Sequence, residues 1–182
     1  MDARPPGPET VAVTTQTDCA PEPYPGTSTD LPALRRQLTV LQGGKVTSVH
    51  VPSESEGRFA LLLALTYRRP NGRNGLAYRW LTVGSPAWRL DLTGPGEPVV
   101  AAASGDAVPR LAADLRVLVG RQITDVRITE PGWDTLIEFG DHRLTVFPTT
   151  YHTPDSGPDW VLRLPSRRQL GIGPGARWEA RG

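Results

Sequence analysis

Few residues in this chain are suited to chemistry. Three histidines, His50, His142 and His152, and a single cysteine, Cys19, are the natural metal ligands and nucleophiles. No two of them stand at the spacing of a zinc site, and nothing near Cys19 would lower its thiol pKa. Asp141 and His142 are adjacent and could form an acid/base pair. Neighbouring strand residues point to opposite faces, however, so the two are predicted not to touch. Tyr151-His152-Thr153-Pro154-Asp155-Ser156 gathers a phenol, an imidazole, a carboxylate and hydroxyls in one loop. Binding residues often lie on loops. A catalytic triad needs convergence in space and an activated nucleophile, and no nucleophile elbow is present. Tyr151 and His152 therefore read as partner contacts. Gly171-Ile172-Gly173-Pro174-Gly175 lacks the Lys-Ser/Thr and the following helix of a phosphate loop, and reads as a turn. The expectation is no catalytic residue, no metal site, no cofactor and no enzyme.

A second group is better suited to recognition. Arg68, Arg69 and Arg79 flank the turn Pro70-Asn71-Gly72-Arg73-Asn74-Gly75, which holds Arg73, and Tyr67, Tyr78 and Trp80 are interleaved with them. Trp133 follows Pro131-Gly132 in a turn, where it is expected to be exposed. Aromatic and arginine side chains are the usual anchors of protein contacts. Arg68, Arg69, Arg73, Tyr78, Trp80, Trp133, Tyr151 and His152 are thus the candidate partner-binding residues. Net charge is only +1, and the arginines are spread among acids. A nucleic-acid binder would cluster them, so a protein partner is expected instead.

The elements that position these residues come from an internal repeat. Leu31 to Val51 aligns without a gap on Val108 to Ile128, and eight of the 21 positions are identical. They are Pro32/Pro109, Leu34/Leu111, Leu38/Leu115, Val40/Val117, Leu41/Leu118, Gly43/Gly120, Thr47/Thr124 and Val49/Val126. Leu31, Leu34, Leu38 and Leu41 recur at helical spacing. Proline sits in the first turn, where a missing N–H costs nothing. Asp30 can cap the first helix, Asp106 lies near the start of the second, and glycine supplies the left-handed residue that ends each. Beyond the glycine the period becomes two, so each copy is a short helix followed by a strand.

Antiparallel strands complete each copy. Phe59 to Tyr67 alternates, Asn-Gly gives the hairpin turn, and Leu76 to Val83 returns. In the second copy Thr135 to Phe139 and Leu144 to Phe147 flank Gly140-Asp141. Trp88-x-Leu90-x-Leu92 and Trp160-x-Leu162-x-Leu164 head later strands, and short ones follow near Val99–Val100 and Leu170–Ile172. The predicted fold is mainly β (α+β): two tandem diverged repeats, each a short helix followed by a small antiparallel sheet. Repeat unit 1 with its connector spans 31–106 and repeat unit 2 spans 107–182. A pseudo-twofold axis could relate them. Whether the strands form separate or shared sheets is open.

Residues 1–30 hold six prolines and more acid than base, and are expected to be a disordered tail. The N-terminus lacks the basic start and apolar core of a signal peptide, and one cysteine allows no intrachain disulfide. No apolar run reaches the length that spans a bilayer. The expected location is the cytoplasm, with no membrane partner.

The pattern Leu115, Leu118, Gly120, Ile123, Thr124, Val126, then Leu136 to Asp141 with Leu144, then Trp160, Leu162 and Pro165 resembles a group of small bacterial proteins. The likeness covers 108–178, and 31–93 more weakly. It departs in the reversed Gly140-Asp141 turn and in the long Arg68–Gly75 loop. Some proteins of this kind look like immunity or accessory factors of toxin systems, which implies a non-catalytic interaction module. Two alternatives stand beside it: a small-ligand-binding protein with its site between the repeats, and an enzyme using His142 or the Tyr151–Ser156 loop.

Overall fold

The computed structural model describes residues 27–52, 61–68, 76–84, 87–149, 157–164 and 168–182, with backbone only at 67, 68 and 76–78. The strands are β1 (Thr27–Ser28), β2 (Lys45–His50), β3 (Leu61–Arg68), β4 (Leu76–Val83), β5 (Trp88–Leu92) and β6 (Val99–Ala103). They continue as β7 (Asp125–Thr129), β8 (Asp134–Glu138), β9 (His142–Val146), β10 (Trp160–Arg163), β11 (Gln169–Ile172) and β12 (Trp178–Arg181). The helices are α1 (Leu31–Leu38) and α2 (Val108–Asp114), each running into a short 3-10 turn.

Both helices begin and end much as their sequences dictate. The Asp30 carboxylate accepts a hydrogen bond from the Ala33 amide at 2.9 Å, and Pro32 lies in the first turn. Leu31, Leu34, Leu38 and Leu41 are buried. Gly43 and Gly120 both take positive φ, 79° and 87°, which is inexpensive only for glycine. The caps differ. Asp106 does not cap α2, whose N-cap is Ala107. Its carboxylate instead accepts from the Ala103 amide at 3.0 Å, and its own amide donates to the Ala103 carbonyl. The carboxylate is consumed in closing the turn after β6, one residue too early to reach the helix.

The fold is mainly β, with all strand pairings antiparallel, and the strands of both repeats share each sheet. One sheet runs β1-β12-β11-β10-β4-β3-β2 and the other β6-β5-β9-β8-β7. Strands β2-β3-β4 of the first repeat thus meet β10-β11 of the second. Strands β7-β8-β9 of the second meet β5-β6 of the first in the same arrangement. The boundary at 106 divides two sequence repeats, while each sheet takes strands from both sides of it.

Four backbone hydrogen bonds lie on the pseudo-twofold axis. Gly43 N–H donates to the Ile123 carbonyl at 2.9 Å, and its counterpart Gly120 N–H donates to Val46 at 2.8 Å. Ile123 N–H donates to Gly44 at 2.8 Å, and Val46 N–H donates to Arg121 at 2.9 Å. Each bond has its partner 77 residues away, the offset of the sequence repeat. Thr47 and Thr124 obey the same symmetry: each hydroxyl donates to a carbonyl of the adjoining strand, Ala64 and Glu138. Those threonines satisfy backbone groups, which explains why an apolar repeat pattern keeps them.

One core lies between the sheets and draws on both repeats. Trp88 and Trp160 head equivalent strands and are both buried. The Trp160 indole donates to the Thr135 hydroxyl across the core at 3.1 Å, so that its one polar atom is satisfied. Two features fell outside the sequence reading. β12 adds a strand beyond β11, and β1 pairs with β12, Thr27 opposite Glu179. The tail boundary is corrected accordingly: residues 27–30 belong to the fold through β1 and the Asp30 cap, because β12 offers them an edge to pair with. Residues 1–26 lie outside the described residues, as does the Asn-Gly turn at 69–75.

Candidate partner-binding surface

The outward faces of the two sheets carry equivalent positions with opposite character. Across the five-stranded sheet, Asp125, Glu138, Arg143 and Asp91 stand side by side on β7, β8, β9 and β5. Glu138 is nearly buried, and its Oε1 accepts from Arg143 Nε and Arg127 Nη2, both at 2.8 Å. Arg127 Nε also reaches Asp125 at 3.0 Å. Asp91, 3% exposed, pairs with Arg89 at 2.8 Å, and the Arg89 guanidinium lies 5.7 Å from the Phe147 ring centroid. This face is neutralised internally by matched charges.

The corresponding row on the seven-stranded sheet reads Ser48, Ala64, Trp80 and Arg163, continued by Gln169 and Arg181 on β11 and β12. It turns away from the core because its neighbours along the strands, Leu63, Leu81, Leu162 and Leu170, point inward and are buried. Trp80 takes the place of Arg143, Ala64 that of Glu138, and Arg163 that of Asp91. The row itself holds no acid, although Arg181 pairs with Glu179, two positions back on β12, at 2.9 Å. Trp80 is 41% exposed, and Arg163, also exposed, makes no ion pair among the described residues. A large indole thus stands on a sheet face beside a guanidinium that has no ion pair among the described residues, a composition that contact surfaces share.

The structure assigns the sequence candidates unequally. Trp80 stands at the centre of the open row. Tyr78 pairs in register with Thr66, and Arg68 with Leu76, so the backbone carries both along the strands that hold this row. Arg69, Arg73, Tyr151 and His152 lie outside the described residues. Trp133 is corrected. It is 4% exposed and part of the core, because the turn at Glu130–Trp133, with Trp133 at φ 62°, folds the indole back between the sheets. Arg79 also faces inward, where its Nη1 donates to the Val40 carbonyl. Arg163 was missed. Its signal was the alternation Trp160-Val161-Leu162-Arg163, which places a charge outward beside whatever strand pairs with β10.

Asp141 and His142 do touch, contrary to the strand-alternation argument. Asp141 lies in the turn before β9 and not on the strand, so its carboxylate bends back to His142 Nδ1 at 2.8 Å. Arg121 Nη1 contacts the same oxygen. The His142 hydrogen bond, and then the nearby cationic groups, hold the Asp141 carboxyl below its usual range. The imidazole is buried, and among the described residues no hydroxyl or thiol is hydrogen-bonded to it. The network ties the end of β9 to the turn after α2. Among the described residues no three of His, Cys, Asp and Glu group in a way that could hold a metal. No helix of the described residues is long and apolar enough to cross a membrane.

A further exposed apolar group, Leu92, Val99 and Val100, lies on β5 and the edge strand β6. No protein-family model, no curated protein and no solved structure matches this chain.

Proposed function

We propose that the protein is a non-catalytic interaction module that docks a protein partner on the outward face of its seven-stranded sheet. The observation that carries the reading is the contrast at one repeat position. Arg143 is locked to Glu138, whereas Trp80, its counterpart, is exposed beside Arg163. One face is self-neutralised, and at the equivalent positions the other presents an exposed indole beside Arg163, which has no ion pair among the described residues. A role as an immunity or accessory factor in a bacterial system, acting in the cytoplasm, agrees with this reading through the resemblance above.

A small ligand between the repeats has less support, because the axis is spanned by backbone hydrogen bonds and flanked by the core leucines Leu41 and Leu118. An enzyme built on His142 has less still, since the imidazole is buried behind Asp141. The test is affinity capture from native-cell lysate with the tagged protein and with Trp80→Ala/Arg163→Ala. Loss of one specific partner in the double variant, with retention in Arg127→Ala on the opposite face, supports the reading. Equal capture by all three proteins removes it.

A further inference from the structure

We infer that the partner docked on the Trp80 face is an acidic protein segment, which sets a carboxylate on Arg163 and a large apolar side chain on Trp80. The inference rests on reading this face as a docking surface, and adds the chemistry of what docks there. Three observations converge on this occupant.

The first is the charge of the sheet. The strands of the seven-stranded sheet hold one acidic residue, Glu179, against Lys45, Arg68, Arg79, Arg163 and Arg181. Those of the five-stranded sheet hold Asp91, Asp125, Asp134 and Glu138 against Arg89, Arg127 and Arg143. Glu179 is already taken by Arg181, and Arg79 faces inward. Lys45 and Arg163 are both exposed on the outward face and make no ion pair among the described residues. No carboxylate of these strands is left to balance them.

The second is the apolar surface beside the cation. The row next to Trp80 and Arg163 reads His50, Leu62, Thr82 and Val161. Its counterpart on the five-stranded sheet reads Arg127, Leu136, Thr145 and Arg89. Leucine and threonine are common to both rows, and both arginines are absent from the first. Leu62 and Val161, each partly buried, are the diagonal neighbours of Trp80 across β3 and β10. Diagonal neighbours lie within reach of an aromatic side chain. The indole is thus continuous with apolar surface on both sides and has the guanidinium at its edge.

The third is spacing. Arg163 and Trp80 stand opposite each other on β10 and β4, which sets their Cβ atoms roughly 5 Å apart. An acid and a large apolar residue meet both when they share one face of the partner, two positions apart on a strand or three or four apart on a helix. Aromatic and arginine side chains are where interface energy concentrates, and the exposed cations steer an acidic partner into place. A nucleic acid would offer a base to Trp80 and a phosphate to Arg163. The observations favour protein over it, because nucleic-acid affinity draws on many phosphate contacts. Here the chain's net charge is +1, and Leu62 and Val161 present apolar surface beside the ring.

The probe is the capped peptide Glu-Ser-Phe-Ser-Glu-Ser-Phe-Ser-Glu, which as a strand alternates glutamate and phenylalanine on one face. It is titrated into the isotope-labelled full chain and followed by NMR. Saturable shifts should appear at the Trp80 indole and at the amides of Thr82, Val161 and Arg163, and none at Arg127, Leu136 and Arg143 on the opposite face. Arg163→Glu should weaken the affinity about tenfold or more, and high salt should weaken it too, since exposed charges are screened. Arg163→Gln, which removes the charge without reversing it, should lose part of the same affinity. The peptide with lysine in place of glutamate should not bind. No shifts on the Trp80 face, equal binding of the lysine peptide, or unchanged affinity in both Arg163 variants overturns the inference. So does tighter binding of an oligouridylate of equal charge at the same amides, which would make the occupant a nucleic acid. If the peptide fails while Trp80→Ala/Arg163→Ala still abolishes partner capture, the docking surface stands and only its acidic complement falls. If the peptide binds this face and capture is insensitive to the same variant, the chemistry of the face stands and the docking of the captured partner there falls.

Discussion

Trp80 and Arg143 occupy the same place in the two halves of the molecule, one exposed on β4 and the other held by Glu138 on β9 at 2.8 Å. The backbone around them obeys a twofold relation, and the side chains do not. That separation between conserved scaffold and diverged face gives the expectations below.

Glu138 is the hub of the neutralised face. Glu138→Ala leaves Arg127 and Arg143 without their shared acceptor. Because both arginines are partly exposed, the loss is discounted to about 1–2 kcal/mol. Chemical denaturation should show a lower midpoint with an unchanged slope.

Gly173 has φ 78°, and a Cβ placed there would fall on the Asp159 carboxylate. That carboxylate is buried and accepts from the Thr149 amide and hydroxyl at 3.0 and 2.8 Å. Gly173→Ala should therefore destabilise by roughly 2–4 kcal/mol, through strain and a displaced buried charge. Gly175→Ala, with similar φ but open space around it, should cost about 1 kcal/mol. Thermal melts of the two variants separate the contributions.

Shared sheets imply shared stability. Leu41→Ala and Leu118→Ala remove equivalent, fully buried side chains. Each should cost about 2–5 kcal/mol, and each should lower the melting of the whole fold in one transition. Calorimetry showing two transitions, with only one moved by each variant, would mean the repeats unfold independently.

The Asp141 carboxyl has its pKa lowered from the usual 3.8, first by the hydrogen bond to His142. A group with a depressed folded pKa contributes stability that is present above its unfolded pKa, near 3.9, and lost as pH falls through the folded value. Asp141→Asn should thus flatten the acid limb of the stability–pH curve below about pH 4. An acid limb unchanged by the substitution would show that the pair contributes nothing there.

The scaffold was legible because its signals are local. Helical spacing of Leu31, Leu34 and Leu38, the Gly43 and Gly120 stops, and alternation around Trp88 and Trp160 each depend on neighbours in sequence. The sharing of sheets was not, since a strand such as β5 has the same pattern whichever copy it pairs with. Trp133 was misjudged for a related reason. Pro131-Gly132 correctly marks a turn, but the direction of the next side chain depends on a left-handed φ that sequence does not display. The Asp141–His142 contact was misjudged because the alternation rule was applied to Asp141, a residue of the Gly140-Asp141 turn, where the backbone does not alternate as it does on β9. Arg163 gains meaning only from Trp80, 83 positions away and adjacent across β4 and β10.

The most direct measurement of the central claim is hydrogen exchange of the protein with its captured partner bound. The account predicts slowed exchange in β4 and β10 around Trp80 and Arg163, with β7 and β8 unchanged. Protection confined to the five-stranded sheet, with β4 and β10 exchanging as in the free protein, would contradict it.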